Sequence, residues 1–147
     1  MRPLAAFIML SLASLAFGLA RPAAACDVPP LAGVWENPHA TATQDVTRLE
    51  IAHVCQTRAS GGMSLLHGKT WTVRAFSKCA PRDCKWGREA GEVDAEGRLV
   101  VMFATFSARR TVYIRHAGHA VYVDVEVDYH NGKAKDRKES LVLVSAN

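Results

Sequence analysis

The sequence predicts an all-β protein, an antiparallel meander of about seven or eight strands closed into a single barrel. In residues 119–130, HAVYVDVEVDYH, valine alternates with polar or charged residues, as expected for a strand with one buried and one solvent-exposed face. Elsewhere, short β-branched and aromatic segments are separated by turn-forming residues, and no window shows a convincing helical period. Closing such a sheet into a barrel removes the exposed edges that promote aggregation.

The strand-like segments give the order of the barrel. Each segment is rich in β-branched, aromatic or other apolar residues, and Gly, Ser, Asp or Pro fall between them. Asn131-Gly132 supplies a type I′ turn before the last strand. The predicted strands are a first one opening at 33–35, then 46–54, 69–77, 98–105, 111–116, 119–130 and a return strand that includes 141–144.

A two-residue turn at Ala117-Gly118 is expected to join the strands on either side of it. That turn places Ile114 opposite Val121, so that the apolar faces of the two strands match. The same register places Arg110 on the buried face of the sheet, where a charged side chain requires partners or a water-filled cavity.

Residues 1–25 have the order of an export signal and are predicted to be removed. Arg2 precedes an apolar run, and an A-x-A cleavage pattern stands ahead of Cys26. No later stretch reaches the roughly 18 apolar residues that a spanning helix needs. We therefore expect a periplasmic or secreted protein with one domain, residues 26–147, and no integral membrane segment after removal of the leader.

Removal of the leader would leave the chain with only a small positive net charge. The leader contains Arg2 and Arg21, so its loss takes two positive charges from a formal net charge of +4. Nucleic-acid-binding proteins instead cluster Lys and Arg on one face. We expect no nucleic-acid partner, which leaves an unknown small ligand or an extracytoplasmic protein.

Four cysteines, all downstream of the leader, predict two disulfides. Cys79 and Cys84 flank a short loop in which Pro81 suits a turn. Cys26 and Cys55 are then left to pair with each other, although four cysteines permit three pairings. Two alternatives stay open, namely lipidation of Cys26 and a zinc or redox role for Cys79 and Cys84.

The Cys79–Cys84 loop is also a candidate interaction site. It places an aromatic residue beside charges, a combination that suits a ligand or a protein partner. The structural alternative is that its aspartate bonds to the loop backbone, as Asp often does in turns. The residues concerned are Arg82, Asp83, Lys85 and Trp86.

His116 and His119 form a further candidate site. They flank the predicted turn and would lie opposite each other, where two imidazoles can share a copper or zinc ion. The alternative is a pair of exposed turn residues. No G-x-S-x-G, phosphate loop or H-E-x-x-H motif occurs, so we expect a non-enzymatic protein without a cofactor.

Gly33-Val34-Trp35 resembles the first strand of lipocalins, fatty-acid-binding proteins and avidins. The resemblance implies a lipocalin- or avidin-like barrel with a ligand pocket inside. In lipocalins this tryptophan closes one end of the barrel and packs against an arginine of a late strand, which corresponds here to Arg110. Trp35, Trp71 and Arg110 are the inward-facing residues expected to bind the ligand.

A wider set of motifs resembles a family of small exported bacterial proteins of lipocalin-like build. The family has no settled activity, so the resemblance implies a fold and leaves the function to be argued from the residues. The matching motifs are W-x-N at 35–37, T-R-x-x-I at 47–51, K-C-x-P-x-D-C-x-W-G at 78–87 and R-T at 110–111.

Three functions follow as expectations. The first is an exported β-barrel that binds a small ligand. The second is an interaction module, or an inhibitor of an exported enzyme, that acts through the Cys79–Cys84 loop. The third is extracytoplasmic copper or zinc handling through His116 and His119.

Overall fold

The computed structural model confirms the all-β barrel. It describes residues 27–41, 46–54, 71–130 and 137–146, and the regular elements within these ranges are eight strands. The strands are neighbours in sequence order, and the barrel closes where β1 pairs antiparallel with β8. The strands are β1 (Gly33–Glu36), β2 (Val46–His53), β3 (Trp71–Ser77), β4 (Cys84–Val93), β5 (Leu99–Ala104), β6 (Ala108–Ala117), β7 (Ala120–Tyr129) and β8 (Arg137–Ser145).

Some predictions concern residues outside the described ranges. They are the leader at 1–25, the cysteines Cys26 and Cys55, and the turn at Asn131-Gly132. In the part of the chain that the structure describes, no helix has the length and apolar character needed to cross a membrane.

The inward faces of the strands form one apolar core. On β7 the predicted alternation is confirmed, because Val121, Val123, Val125 and Val127 are all buried. Burying a valine side chain contributes about 1.5–2 kcal/mol relative to leaving it in water. The same cluster is completed from the other strands by Trp35, Val46, Leu49, Ile51, Trp71, Val73, Ala75, Leu99, Val101, Phe103, Ala108, Val112, Ile114 and Leu143.

The hairpin between β6 and β7 corrects the predicted register. Gly118 and His119 form the turn, one residue later than predicted, so Ile114 lies opposite Val123 and not Val121. Gly118 has a φ of 62°, a left-handed conformation that glycine adopts without a steric penalty. Because the pairing is displaced by two residues, every side chain keeps the face that the alternation predicts.

β4 was not predicted from the sequence, because its inward positions are Gly87, Glu89 and Gly91 instead of apolar side chains. Gly91 is buried, and a Cβ atom at that position would lie 2.6 Å from Leu99 Cδ1 and 3.0 Å from Val101 Cγ2. Any side chain at this position would therefore require Leu99 and Val101 to shift, and the apolar alternation is lost here.

Antiparallel order places successive turns at opposite ends of the barrel. The segments after β1, β3 and β5 share one end, which we name the loop end, and it includes the Cys79–Cys84 loop. The turns after β4 and β6 share the other end, which we name the hairpin end.

Candidate functional site

Two of the three predicted pocket residues are part of the core. Trp35 and Trp71 are only 4% and 9% exposed. Each meets a histidine ring edge-on, with centroids 5.8 Å apart for Trp35 and His116 and 4.7 Å apart for Trp71 and His53. Trp35 Nε1 also donates a 3.0 Å hydrogen bond to the Leu31 carbonyl. These contacts fill the hairpin end of the barrel with side chains.

The same packing separates the predicted histidine pair. The ring of His116 lies against Trp35, and its partner in the ladder is Val121, whereas His119 lies in the turn. The expectation that the two histidines lie opposite each other is therefore wrong, because the turn begins one residue later. Among the described residues, no cluster of three or more His, Cys, Asp or Glu side chains is arranged to hold a metal ion.

Trp86 closes the loop end from the inside. The β3–β4 register shifts between Ala75 and Phe76, so that Trp86 is the extra residue of a β-bulge. Its Nε1 donates a 2.8 Å hydrogen bond to Oγ of the fully buried Ser77, and its ring meets Phe103 edge-on with centroids 5.7 Å apart. Of the predicted interaction residues, Trp86 thus packs against the core, and the charged members remain at the surface.

Arg110 lies at the loop end and contacts Trp86. Its guanidinium carbon is 4.9 Å from the Trp86 ring centroid, and Nη1 is 3.4 Å from Thr105 Oγ1. His116, the neighbour of Trp35, is six residues further along β6, which is roughly 20 Å at the rise of a strand. The expectation that Arg110 packs against Trp35 is therefore wrong. Trp35, Trp71 and Arg110 do not converge on one pocket.

The Cys79–Cys84 loop is fixed beside β2. The disulfide between its ends is present, with Cα atoms 5.5 Å apart, which confirms the predicted local pairing. Thr47 Oγ1 donates a 2.6 Å hydrogen bond to Asp83 Oδ2 and so joins the loop to β2. On the other side, Asn37 Nδ2 donates a 2.9 Å hydrogen bond to the Val46 carbonyl.

A cleft of about 530 Å3 lies between this loop and the segment that follows β1. We name it the loop cleft. Its volume falls within the range of pockets that hold small ligands. It is lined by Glu36, Asn37, Ala40, Thr47, Arg48, Phe76, Lys78, Arg82, Asp83 and Lys85.

The loop cleft carries an excess of positive charge, because its four cations, Arg48, Lys78, Arg82 and Lys85, outnumber its two carboxylates, Glu36 and Asp83. Within the described ranges, the side chains of Lys78, Arg82 and Lys85 make no ion pair or hydrogen bond. Arg48 differs, because its Nη2 pairs with Glu50 at 3.0 Å and its guanidinium carbon lies 4.2 Å from the centroid of the Phe76 ring. Lys78, Arg82 and Lys85 are therefore the groups of the cleft that are available to bind an anion.

Two smaller clefts lie on the outer wall of the barrel. One, of about 300 Å3, is lined by Arg74 and Arg88 among others, and the other, of about 400 Å3, by Arg98 and Tyr113 among others. Arg74 is paired with Glu50 at 3.2 Å, and Arg98 lies 4.7 Å from the Tyr113 ring centroid. Each cleft therefore has one cation already engaged, and even with the unpaired Arg88 the first cleft lacks the three unpaired cations of the loop cleft.

No protein-family model, curated protein or solved structure matches this chain. The interpretation of the loop cleft therefore depends on its own residues. Arg82, Asp83 and Lys85 were candidates from the sequence, whereas Arg48 and Lys78 were not. A signal for the latter two was present, since Arg48 stands in the T-R-x-x-I motif and Lys78 begins the cysteine motif.

Proposed function

We propose that this chain is an exported, non-enzymatic binding protein that holds a small organic anion in the loop cleft. The observation that carries the proposal is that Lys78, Arg82 and Lys85 line one cleft and form no ion pair among the described residues, although Glu36 and Asp83 also line it. A cleft with a net positive lining attracts anions, and hydrogen bonds between ionised groups are about twice as strong as neutral ones.

Arg48 adds a flat surface to this site. Its guanidinium carbon lies 4.2 Å from the centroid of the Phe76 ring, and both Arg48 and Phe76 line the cleft. Guanidinium groups stack on aromatic rings as well as pairing with carboxylates. A ligand with an anionic group and a planar apolar part, such as an aromatic carboxylate, matches this combination.

The proposal moves the ligand from the barrel interior to its loop end. Trp35 and Trp71 occupy the interior position where the lipocalin resemblance implied a pocket. In this view the packed barrel is a rigid scaffold, and the disulfide-closed loop supplies the site. Sites on such rigid supports lose less conformational entropy when they bind.

Export is part of the same proposal. The export-signal pattern at 1–25 supports it, and so does the Cys79–Cys84 disulfide, because disulfides persist mainly in oxidising compartments.

Calorimetric titration with benzoate tests the site, with benzylamine and benzyl alcohol as matched probes of the same shape. We expect benzoate to bind best and its affinity to fall with ionic strength. The Arg82→Glu/Lys85→Glu variant should bind benzoate at least about tenfold more weakly, because one charge-assisted hydrogen bond is worth about 1.5–3 kcal/mol. Arg115→Glu, an exposed residue of β6 near the hairpin end, is the control and should bind like the parent protein.

Two results would contradict the proposal. One is binding of benzylamine as tightly as benzoate. The other is benzoate binding that is unchanged by Arg82→Glu/Lys85→Glu.

A further inference from the structure

The wall of the barrel is not hydrogen-bonded along the whole boundary between β4 and β5. β4 pairs with β3 from Cys84 to Gly91, and β5 pairs with β6 along its whole length. Between β4 and β5 themselves, the ladder joins only 91–93 to 99–101. The facing edges of 84–90 and 102–104 are left without a ladder partner, and we name this region the β4–β5 seam.

The exposure of inward-facing residues shows that the seam is open to solvent. Gly87 and Glu89 belong to the inward face of β4, because they lie opposite Ala75 and Val73, which are fully buried. Both Gly87 and Glu89 are nevertheless exposed. Inward positions of a small barrel are normally filled and covered, so the wall is open at this point.

Open strand edges carry unsatisfied hydrogen-bonding groups. In an antiparallel sheet, alternate backbone N–H and C=O groups point toward each neighbour, so both edges of the seam offer donors and acceptors. Such edges are templates for an added strand, and main-chain hydrogen bonds then supply much of the affinity.

Arg88 determines which strand would be favoured. It lies on the outer face of β4, directly opposite Arg74 in the β3–β4 ladder, and like charges in that position repel. Arg74 is compensated by Glu50 at 3.2 Å, whereas Arg88 has no ion pair within the described part of the chain. An acidic residue on a strand that enters the seam beside Arg88 would supply the missing counter-charge.

We propose that the β4–β5 seam binds an extended, acidic polypeptide segment by strand addition, with an acidic side chain beside Arg88. This site differs from the loop cleft, and the proposal does not rest on the binding of a small anion there. It gives the barrel a second activity, the capture of an unfolded or extended protein segment.

A designed peptide provides the test. The probe is a fluorescently labelled peptide of alternating valine and threonine, as long as the open edge of β4, with one aspartate at a central threonine position. We expect binding with a Kd tighter than about 1 mM by fluorescence anisotropy, and at least about tenfold weaker binding when lysine replaces the aspartate. Arg88→Glu should reverse this preference, and the control Arg115→Glu should leave it unchanged.

Two further measurements identify strand addition as the mode of binding. N-methylation of the peptide amides, which removes the donors but keeps the charge, should abolish binding. Hydrogen exchange of the complex should show new protection at 84–90 and 102–104.

Three outcomes would overturn the proposal. They are no binding at about 1 mM, undiminished binding of the N-methylated peptide, and displacement of the peptide by benzoate, which would place it in the loop cleft.

Discussion

Gly91→Ala tests how closely β4 and β5 approach each other, because two physical effects predict opposite signs for the change in stability. Glycine inside a strand costs about 0.5–1 kcal/mol relative to alanine through backbone entropy, so an unobstructed substitution would stabilise the protein. In the structure, however, the new Cβ would lie 2.6 Å from Leu99 Cδ1 and 3.0 Å from Val101 Cγ2. Leu99 and Val101 are at most 1% exposed, so neither side chain has free space into which it can move.

The expected result is a net loss of stability. Adding a methyl group to a filled core costs about 1–3 kcal/mol, which exceeds the entropic gain. Urea unfolding followed by tryptophan fluorescence measures the change as a lower midpoint at an unchanged slope. For a domain of this size, each kcal/mol also lowers the melting temperature by about 4 °C.

A double-mutant cycle with Leu99→Ala isolates the contact. Leu99→Ala alone should be destabilising by about 2–5 kcal/mol, but it removes the atom that the new methyl group meets. The Gly91→Ala substitution should therefore cost at least about 1 kcal/mol less in the Leu99→Ala background. A stabilised single variant, or strictly additive effects, would show that the strands do not approach as closely as described.

Three other predictions concern the loop end and one hairpin. Replacing both Cys79 and Cys84 by serine should cost about 2 kcal/mol, measured by urea unfolding against the parent protein under non-reducing conditions. Trp86→Ala should cost about 3 kcal/mol, because it removes aromatic packing and the indole hydrogen bond, and a loss below about 1 kcal/mol would contradict the inward position. Asp94 accepts 2.8 Å hydrogen bonds from the backbone N–H and from Nε of Arg98. Although desolvation acts to raise the pKa of Asp94, these bonds and the adjacent charge hold it below its usual 3.8. A lowered folded-state pKa stabilises the fold above the unfolded-state pKa, and this contribution is lost as the pH falls. The stability difference between the parent and Asp94→Asn should thus be full at pH 7 and disappear well below about pH 4.

The alternation of apolar and polar residues was sufficient to predict most of the strands. It failed for β4, where the chain does not alternate in this way. Val121 to Val127 predicted β7 because each inward position is an apolar residue of the same size. In β4 the corresponding positions are Gly87, Glu89 and Gly91, which show no hydrophobic period. The glycine at 91 is required by a contact with β5, and such a long-range contact is not visible in a local window.

The register of the β6–β7 hairpin was wrong for a different reason. Displacing the pairing by two residues leaves every valine on the same face, so hydrophobic matching cannot distinguish Ile114–Val121 from Ile114–Val123. The choice depends on which residues take the turn, and here Gly118 adopts the left-handed conformation at the first position. Because of this one-residue error, His116 and His119 were predicted to lie opposite each other, which they do not.

Only Arg82, Asp83 and Lys85 of the loop cleft were predicted, because the residues of the cleft come from distant parts of the sequence. The exposed charges of the cysteine loop could be recognised from their composition. Arg48 and the segment after β1 become part of the site only through the β2–β3 pairing and the Thr47–Asp83 hydrogen bond. No spacing rule connects positions that are more than thirty residues apart.

One irregularity links the two proposed sites. The bulge at Trp86 adds a residue to β4, which turns the indole into the core instead of toward solvent. On one side of the bulge Lys85 lines the loop cleft, and on the other side Arg88 lies beside the β4–β5 seam. A deletion of Trp86 that restores a regular ladder should therefore alter both sites at once, whereas Trp86→Phe, which keeps the bulge, should preserve peptide binding. Equal effects of the two variants on benzoate and peptide affinity would show that ring chemistry, and not the backbone irregularity, organises this end of the barrel.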